Sequence, residues 1–389
     1  MWKIQSKQNH KIYAMKEISK VKAFMKKSLS SIILEKHILS NLHHPFLANL
    51  NFSFQDKEYL YLVLDFLPGG DLRFYLNKGI VFSEIQIKFF ISNLILALDY
   101  IHKMNIIHRD IKPENLVFDG RGYLHITDFG IARKMKNGKQ ILDKSGTPGY
   151  LAPEVLIKKP QNYSSDFFSL GVICYELVFR KKPFRGKNKK EIAEKILYKN
   201  IKLKSEDMPL GFSHYMADFI NRLLKRNQEE RLGNNGIEEI KSHPWLEGVD
   251  WKLLENKNAD SEYIPFTPFI GDNFERDLVN KKDHLNYEHY DDFLKKINQS
   301  EIFKNFYFNY YDANYIHNKN RSNTTKEKPR INNNNKTNST NSGNKTTRTM
   351  SDENETSFDN NNGIFMMKNT TFLNDVNNND LEIKKQLSC

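Results

Sequence analysis

The sequence predicts an α+β fold, because strand patterns and helix patterns alternate with short turns from residue 1 to about 250. Residues 11–18 alternate apolar and polar side chains and residues 59–66 form a short apolar run, and both patterns are typical of strands. Residues 83–103 and 166–179 carry the apolar patterns of helices. The length of 389 residues allows one large domain or two to three ordinary ones.

The strands are recognised from local signals. Residues 11–18, KIYAMKEI, form the first predicted strand, with Lys16 in its second half. Residues 59–66, YLYLVLDF, form a buried strand, which the following Pro-Gly-Gly ends. Two shorter strand-like segments lie at 116–118 and 123–127.

The helices carry equally local signals. Ser83 and Gln86 form a capping box at the start of the helix at 83–103, which has one apolar face. The helix at 166–179 is apolar nearly all round, so we expect it at the centre of a large core.

Charge at first suggests a nucleic-acid partner, because the chain carries a net charge of +12. Residues 318–349, however, hold eight basic residues against one acid, a surplus of +7, so the rest of the chain is near balance. This segment lacks the interleaved aromatic residues that stack on bases. We therefore expect no nucleic-acid partner, and RNA binding by the basic segment is an alternative.

Cysteine usage and hydropathy bear on the compartment. Two cysteines, Cys174 and Cys389, do not make a disulfide framework, which favours a reducing compartment. No uninterrupted apolar run reaches the ~18 residues that a membrane span requires, and the N-terminus lacks a secretory apolar region. We expect no membrane span and an intracellular, cytoplasmic location.

Two C-terminal segments differ from the rest. Residues 250 to about 310 are aromatic-rich but irregular, as expected for a segment that wraps a surface. From about residue 318, Asn, Thr, Ser and Lys dominate, with no aromatic residue until Phe358. Such a stretch buries too little apolar area to offset its ordering entropy, so we expect it to be disordered.

The strongest chemical signal is HRDIKPEN at 108–115, followed by DFG at 128–130. Phosphoryl transfer requires a carboxylate that takes the proton of the acceptor hydroxyl, and oxygen ligands for Mg²⁺. Asp110 suits the first role, Asn115 and Asp128 suit the second, and Lys112 can balance charge on the transferring group. Either motif alone could be a polar loop or a tight turn, but both in this order favour catalysis.

On these motifs the chain resembles the eukaryotic protein kinase family, whose further signatures follow in order. YAMK looks like the family's Ala-x-Lys strand, which implies that Lys16 holds the ATP phosphates. Residues 30–42 have helical periodicity, and the resemblance implies that Glu35 pairs with Lys16; a solvated helix face is the alternative for Glu35. It also implies scaffold roles for an ion pair of Glu154 with Arg231 and for Asp166, which would hold the catalytic loop.

Within the family, HHPFLANL, GGDL, GTPGYLAPE and RLGNN look most like the AGC group of Ser/Thr kinases, which includes the cyclic-nucleotide-dependent kinases and their orphan relatives. PFTPF and DNF, within 265–274, resemble that group's C-terminal extension, in which a Phe, here Phe274, folds over the adenine site. FKNFYF resembles its hydrophobic motif, so Phe303 and Phe306 would dock beside the helix that carries Glu35. Tyr307 then stands where many relatives carry a phosphorylatable Ser or Thr, and a chance aromatic cluster is the alternative.

The resemblance implies a two-lobed protein kinase fold with four segments. Residues 1–66 would form a truncated, β-rich small lobe and residues 67–246 a mainly α-helical large lobe. Residues 247–310 would form the wrapping AGC-type extension, and residues 311–389 the disordered Asn-rich tail.

The resemblance also implies ATP and Mg²⁺ as cofactors. The hinge would bond the adenine through the backbone of Asp65 and Leu67. The residues implied to line the adenine are Ala14, Leu64, Leu67, Val117 and Thr127.

Three acids bear on the substrate. Asp71, Glu114 and Glu176 stand where relatives that favour arginine before the acceptor place carboxylates, which bond arginine strongly. We therefore expect Ser/Thr acceptors in protein substrates with Arg or Lys two to three residues upstream. The chain carries one such sequence, RTMS, with Arg348 three residues before Ser351.

The activation segment departs from the family pattern at Asp143, four residues before Thr147, where relatives usually place a phosphorylated Thr. A carboxylate carries less charge and one acceptor oxygen fewer than a phosphate. The hypothesis is that Asp143 partly replaces the phosphate by pairing with Arg109 and a neighbouring lysine. An exposed Asp without a partner is the alternative.

A second departure concerns the glycine-rich loop. Counted back from Lys16 without a gap, Met1 falls where kinases place the Val that closes this loop, whose backbone amides cover the β- and γ-phosphates. The sequence then belongs either to an ordinary active kinase of which it is part, or to a kinase-like regulatory scaffold with impaired catalysis. The retained catalytic residues favour the active kinase.

Overall fold

The structure is a computed structural model that describes residues 1–135, 140–260, 290–300 and 302–312. Among these, residues 1–4 and 12–309 form one compact unit, and residues 5–11 and 310–312 belong to a second. In the second unit, Ser6 and Lys11 are joined by a backbone hydrogen bond of 2.9 Å, and the rings of Tyr310 and Tyr311 are in edge contact. The fold and the site described below belong to the first unit.

The described residues form strands and helices in an α+β order. The strands are β1 (Trp2–Gln5), β2 (Ile12–Ser19), β3 (Leu50–Gln55), β4 (Tyr59–Asp65), β5 (Ile106–Ile107), β6 (Leu116–Phe118), β7 (Leu124–Ile126), β8 (Arg133–Lys134) and β9 (Phe308–Asn309). The helices are α1 (Lys20–Met25), α2 (Leu29–Leu39), α3 (Leu72–Asn77), α4 (Glu84–Lys103), α5 (Pro153–Leu156), α6 (Ser164–Phe179), α7 (Lys189–Tyr198), α8 (His214–Leu223), α9 (Ile237–Lys241), α10 (Trp251–Glu255) and α11 (Tyr290–Gln299). Short 3-10 helices lie at Pro113–Asn115, Ser205–Asp207, Gln228–Glu230 and Pro244–Leu246.

The small lobe is built on a five-stranded sheet in the order β1-β2-β4-β3-β9. The alternation predicted for β2 is present, because Tyr13 and Met15 are buried while Ala14 and Lys16 are half-buried. The apolar run of β4 is buried in the sheet and pairs antiparallel with β2, with Lys16 opposite Leu62. This register places Lys16 on the half-buried side of the sheet.

Five strands were not predicted from the sequence: β1, β3, β5, β8 and β9. β1 covers one edge of β2, although it has only four residues, too few to show a periodicity. β9 pairs with β3 at the opposite edge. β2 is therefore paired on both sides, with β1 and with β4.

The hydrophobic motif packs on the small lobe, as predicted for its two phenylalanines. Phe303 and Phe306 are buried, and their carbonyl groups accept bonds of 2.8 Å from Gln55 and 2.5 Å from Ser53 of β3. Lys36 of α2 donates to the carbonyl groups of Asn305 and Tyr307, at 3.0 and 3.3 Å. The motif is therefore bonded both to the sheet and to the helix that carries Glu35.

The large lobe is organised around α4 and α6. The predicted capping box of α4 is present, with Ser83 and Gln86 bonded reciprocally. In length and apolar content α4 matches a membrane-crossing helix, but 72% of its most apolar window is buried within the protein, which is the environment of a core helix. α6 is buried along almost its whole length, as its composition predicts.

A buried ion pair connects α5 to the segment after α8. The guanidinium of Arg231 bonds both carboxylate oxygens of Glu154, at 2.8 and 2.9 Å, and these side chains are 0% and 5% exposed. Burial alone would raise the pKa of Glu154, but the bonds from Arg231 outweigh it and hold the pKa below its ordinary value. The predicted scaffold pair is thus confirmed.

Replacing Arg231 with Met should lower the free energy of unfolding by about 3–5 kcal/mol at pH 7, because Glu154 would remain buried without its partner. Urea unfolding measures this. The exposed pair of Lys204 and Glu206, 3.0 Å apart, provides the control, and Lys204→Met should cost less than about 1 kcal/mol. Similar small losses in both variants would contradict the role of the buried pair.

The same pair predicts a pH dependence. Because the folded-state pKa of Glu154 is lowered, its stabilising contribution is complete above the ordinary value of 4.5 and is lost as pH falls through the folded-state pKa. Glu154→Gln should therefore flatten the acid limb of the stability curve, measured by urea unfolding from pH 7 to 3.

Candidate active site

The pair of Lys16 and Glu35 joins the sheet to α2. The Lys16 Nζ lies 2.7 Å from Oε1 of Glu35, whose side chain is 5% exposed, and 3.9 Å from Oδ1 of Asp128. Burial acts to lower the pKa of Lys16, but the two carboxylates outweigh it and raise the pKa above its ordinary value. Lys16 therefore remains a cation, which suits the binding of phosphate. Glu35 is not on a solvated helix face, which excludes that alternative.

Asp166 holds the catalytic loop from within α6. Its Oδ2 accepts from the backbone N–H of His108 at 3.0 Å, and its Oδ1 from that of Arg109 at 2.8 Å. Its Oδ2 also lies 2.8 Å from Nε2 of His102. Arg109 has the unusual backbone angle φ +70°, which these bonds stabilise, so the predicted role of Asp166 is confirmed.

Asp110 lies in a network of four polar side chains. Its Oδ2 is 2.7 Å from Nζ of Lys112 and accepts from Nδ2 of Asn115 at 3.0 Å. The hydroxyl of Thr147 donates to Oδ1 of Asp110 at 2.6 Å. The oxygen of the same hydroxyl accepts from Nζ of Lys112 at 2.9 Å. Burial alone would raise the pKa of Asp110, but the bonds from Lys112 and Thr147 lower it. The carboxylate is thus ionised and positioned to accept a hydrogen bond from a substrate hydroxyl.

Asn115 and Asp128 have the chemistry of a magnesium site. The amide nitrogen of Asn115 is committed to the carbonyl and the carboxylate of Asp110, which leaves its oxygen for a cation. The Asp128 side chain is 50% exposed, and its backbone has φ +60° at the start of the DFG turn. Mg²⁺ usually takes one or two protein oxygen ligands together with substrate phosphates, so these two residues fit it.

The residues predicted to line the adenine share one property, which is that each is half-buried. Ala14 lies opposite Leu64 in the sheet, and Thr127 bonds the carbonyl of Asn115. The backbone N–H of Asp65 donates to the carbonyl of Asn49 at 3.0 Å. The half-buried residues are Ala14, Leu64, Asp65, Leu67, Val117 and Thr127, while Phe274 lies outside the described residues.

Two of the three acids predicted for substrate recognition, Glu114 and Glu176, are linked by a residue that the sequence did not single out. Arg73 bonds Glu114 at 2.9 Å and Glu176 at 2.9 and 3.2 Å. Asp71 caps α3 by accepting from the N–H of Phe74 at 2.8 Å. Two of the three acids therefore already hold an arginine of the same chain.

Asp143 has the partner that the sequence suggested. Its Oδ1 lies 2.5 Å from Nη1 of Arg109, and its Oδ2 accepts from Ser145 at 2.8 Å. Burial acts to raise its pKa, but the bonds from Ser145 and Arg109 lower it, with a further contribution from the charge of Arg133. Arg133 thus adds a second positive charge to that of Arg109, and the bond to Arg109 excludes the unpartnered alternative.

Thr147 and Arg73 are the functional residues that sequence reasoning missed. Thr147 lies in GTPGYLAPE, a segment that resembles the AGC group of kinases, but the sequence analysis gave no role to its hydroxyl group. Arg73 follows GGDL by one position and carries no motif of its own. Only the proximity of distant segments reveals both.

Comparison with known proteins identifies the family. The protein kinase domain model matches residues 1–246. A probable serine/threonine-protein kinase of Dictyostelium discoideum is 38% identical over 275 residues, or 70% of this chain and 59% of the relative. The serine/threonine-protein kinase sgk-1 of Caenorhabditis elegans is 39% identical over 268 residues, or 68% and 57%. The cAMP-dependent protein kinase catalytic subunit of Dictyostelium discoideum is 36% identical over 292 residues, or 73% and 44%.

The chain therefore belongs to the protein kinase family. Its relatives confirm the resemblance to AGC-type serine/threonine kinases, and the two-lobed α+β fold is that of the family. Members of this family use ATP and a divalent metal ion. The chain spans about half the length of the curated relatives it matches.

Thr147→Val should reduce kcat for peptide phosphorylation about 10- to 100-fold, because hydrogen bonds to charged groups contribute about 1.5–3 kcal/mol. The hydroxyl bonds both Asp110 and Lys112, so its loss frees both side chains. Thr147→Ser keeps the hydroxyl and is the matched control, expected within about threefold of the wild type. Equal rates for Val and Ser would show that the bridge does not matter for catalysis.

Proposed function

We propose that the protein is an ATP-dependent serine/threonine protein kinase that acts inside the cell. The observation that supports it best is that the Lys16–Glu35 pair and the bonded cluster of Asp110 and Lys112 belong to one compact unit. In this unit, Nζ of Lys16 also lies 3.9 Å from Oδ1 of Asp128. The groups proposed to bind phosphate, to hold the metal and to accept the proton all belong to that unit.

In the proposed reaction, Asp110 orients the substrate hydroxyl and takes its proton as the oxygen bonds the γ-phosphorus of ATP. The bond between that phosphorus and the β–γ bridging oxygen breaks, and ADP leaves with that oxygen. Lys16, held by Glu35, binds the phosphates of ATP. Lys112 offsets negative charge on the transferring phosphoryl group. Asn115 and Asp128 would hold Mg²⁺, which supplies charge neutralisation at the phosphate oxygens.

The proposed substrates are proteins with Arg or Lys two to three residues before the acceptor. These positions hold three acids, Asp71, Glu114 and Glu176, and Arg73 bonds two of them. Glu114 is 43% exposed, so it can meet a substrate side chain. Such acids favour basic residues through charge-assisted bonds.

We further propose that Asp143 takes over part of the role of an activating phosphate. Its bond to Arg109 connects the activation segment to the residue next to Asp110. The candidate autophosphorylation site at Ser351 lies outside the described residues.

The alternative is a kinase-like scaffold that binds ATP or a partner without transferring phosphate. The ionised Asp110 and the intact Lys16–Glu35 pair favour the enzyme, because a scaffold does not require either.

Asp110→Asn should lower kcat for a peptide of the form Arg-x-x-Ser by about 10²- to 10⁴-fold, because general base catalysis contributes about that much. Transfer of radiolabelled γ-phosphate measures it, and ATP binding should stay near the wild-type value. The control is Asp99→Asn, which should leave kcat near the wild-type value. Asp99 is an acid of α4 that pairs with Lys103 and Lys241. Absent transfer by the wild type, with ATP still bound, would support the scaffold instead.

Asp143→Ala should reduce kcat of unphosphorylated protein about two- to fivefold, because a half-exposed ion pair contributes about 0.2–1 kcal/mol. Asp143→Glu keeps the carboxylate and should retain most of the rate. Mass spectrometry confirms that neither preparation is phosphorylated in the activation segment. Unchanged turnover in the Ala variant would refute the phosphate-like role of Asp143.

A further inference from the structure

Arg73 is the second residue of α3, directly after Leu72 and the capping Asp71, and its side chain is 19% exposed. Its Nε lies 2.9 Å from Oε1 of Glu114. Its two terminal nitrogens lie 2.9 and 3.2 Å from the two carboxylate oxygens of Glu176, and Nη2 also bonds the hydroxyl of Tyr150 at 2.5 Å. All three guanidinium nitrogens are therefore engaged.

Glu176 has no accessible oxygen to offer a second arginine. Its side chain is 6% exposed, both oxygens bond Arg73, and Oε2 also accepts from Tyr150 at 2.5 Å. The ammonium group of Lys182 lies 4.5 Å from the centre of the Tyr150 ring and adds a second positive charge beside the cluster. An incoming arginine would have to displace Arg73 from a forked, largely desolvated ion pair.

We propose that Arg73 is a specificity-determining residue, whose guanidinium occupies the place at Glu176 and Glu114 that a substrate arginine would take. This inference rests on the proposed function and deepens it. At the upstream substrate position whose side chain would contact Glu176 and Glu114, the protein then discriminates little between arginine and a neutral residue. Selectivity for arginine at the other upstream position remains, through Asp71 and the exposed part of Glu114.

The same contacts could instead serve only to join α3 to α6. A purely structural Arg73 would affect folding but not the choice between substrates. The two roles are separated by a ratio of rates on matched peptides, because a general loss of stability or activity cancels from it.

The experiment compares peptides that carry arginine or its neutral isostere citrulline at each upstream position. For Arg73→Ala, the arginine-to-citrulline ratio of kcat/KM should rise about tenfold or more at one position, because a vacated carboxylate regains a charge-assisted bond. The wild-type ratio at that position should lie within about twofold of one. Arg121→Ala, which removes an arginine that bonds Lys257 in another part of the unit, should leave every ratio unchanged. Unchanged ratios in Arg73→Ala would overturn the proposal.

A second variant protects the test against misfolding. Arg73→Gln keeps an amide donor for the buried Glu176 while it removes the positive charge, and its ratio should rise in the same direction. Binding of the same peptides with Ala at the acceptor position is measured in parallel. If neither the wild type nor the Arg73 variants transfer phosphate, the proposed function fails. The arginine-to-citrulline ratios of peptide binding then still decide the role of Arg73.

Ethylguanidinium provides a direct probe of the vacated place. It should raise the melting temperature of Arg73→Ala in a saturable way and leave the wild type unchanged, with ethylammonium as the weaker control. Equal effects on wild type and variant would contradict a guanidinium site in this position.

Discussion

The placement of the catalytic groups depends on one buried carboxylate, Asp166. It lies at the start of the most apolar helix, fully removed from water, and it accepts two consecutive backbone N–H groups of the catalytic loop. Burial would raise its pKa, but the bonds and charges around it, led by His102, lower it, so the group remains an acceptor. Because these bonds hold the strained backbone of Arg109, they also set the position of Asp110 one residue later.

The Lys16–Glu35 pair shows how the small lobe contributes to the same site. The sheet supplies Lys16 and α2 supplies Glu35, so the 2.7 Å ion pair forms only when α2 packs close to the sheet. The hydrophobic motif bonds both: Ser53 of the sheet and Lys36 of the helix each hold its backbone. Two phenylalanines anchored in the small lobe thus help to keep an ion pair intact.

A shared principle explains the charges of the site. Each important carboxylate has a cation of the same chain: Asp110 has Lys112, Asp143 has Arg109 and Glu176 has Arg73. Bonds from their partners lower the pKa values of Asp110 and Asp143 despite partial burial, and the pairs also decide which acids remain open to a ligand. Asp110 is the proposed proton acceptor beside its partner Lys112, whereas both oxygens of Glu176 are bonded by Arg73.

The sequence by itself determined the fold class and most of the catalytic set. Strand alternation predicts the strand that carries Lys16, and the capping box predicts the start of α4. Local motifs point to Asp110, Asn115 and Asp128, whereas the role of Lys16 follows from the resemblance of YAMK to the family's strand. Tertiary structure alone decided the pairing of Arg73 with Glu176 and of Thr147 with Asp110, which lie 103 and 37 residues apart. The strands β1 and β9 likewise formed only through pairing, because four and two residues are too short to carry a periodic signal. The physical reason is that periodicity and capping act between neighbours in the chain, whereas the choice of a charge partner depends on which distant side chains folding brings within hydrogen-bonding distance.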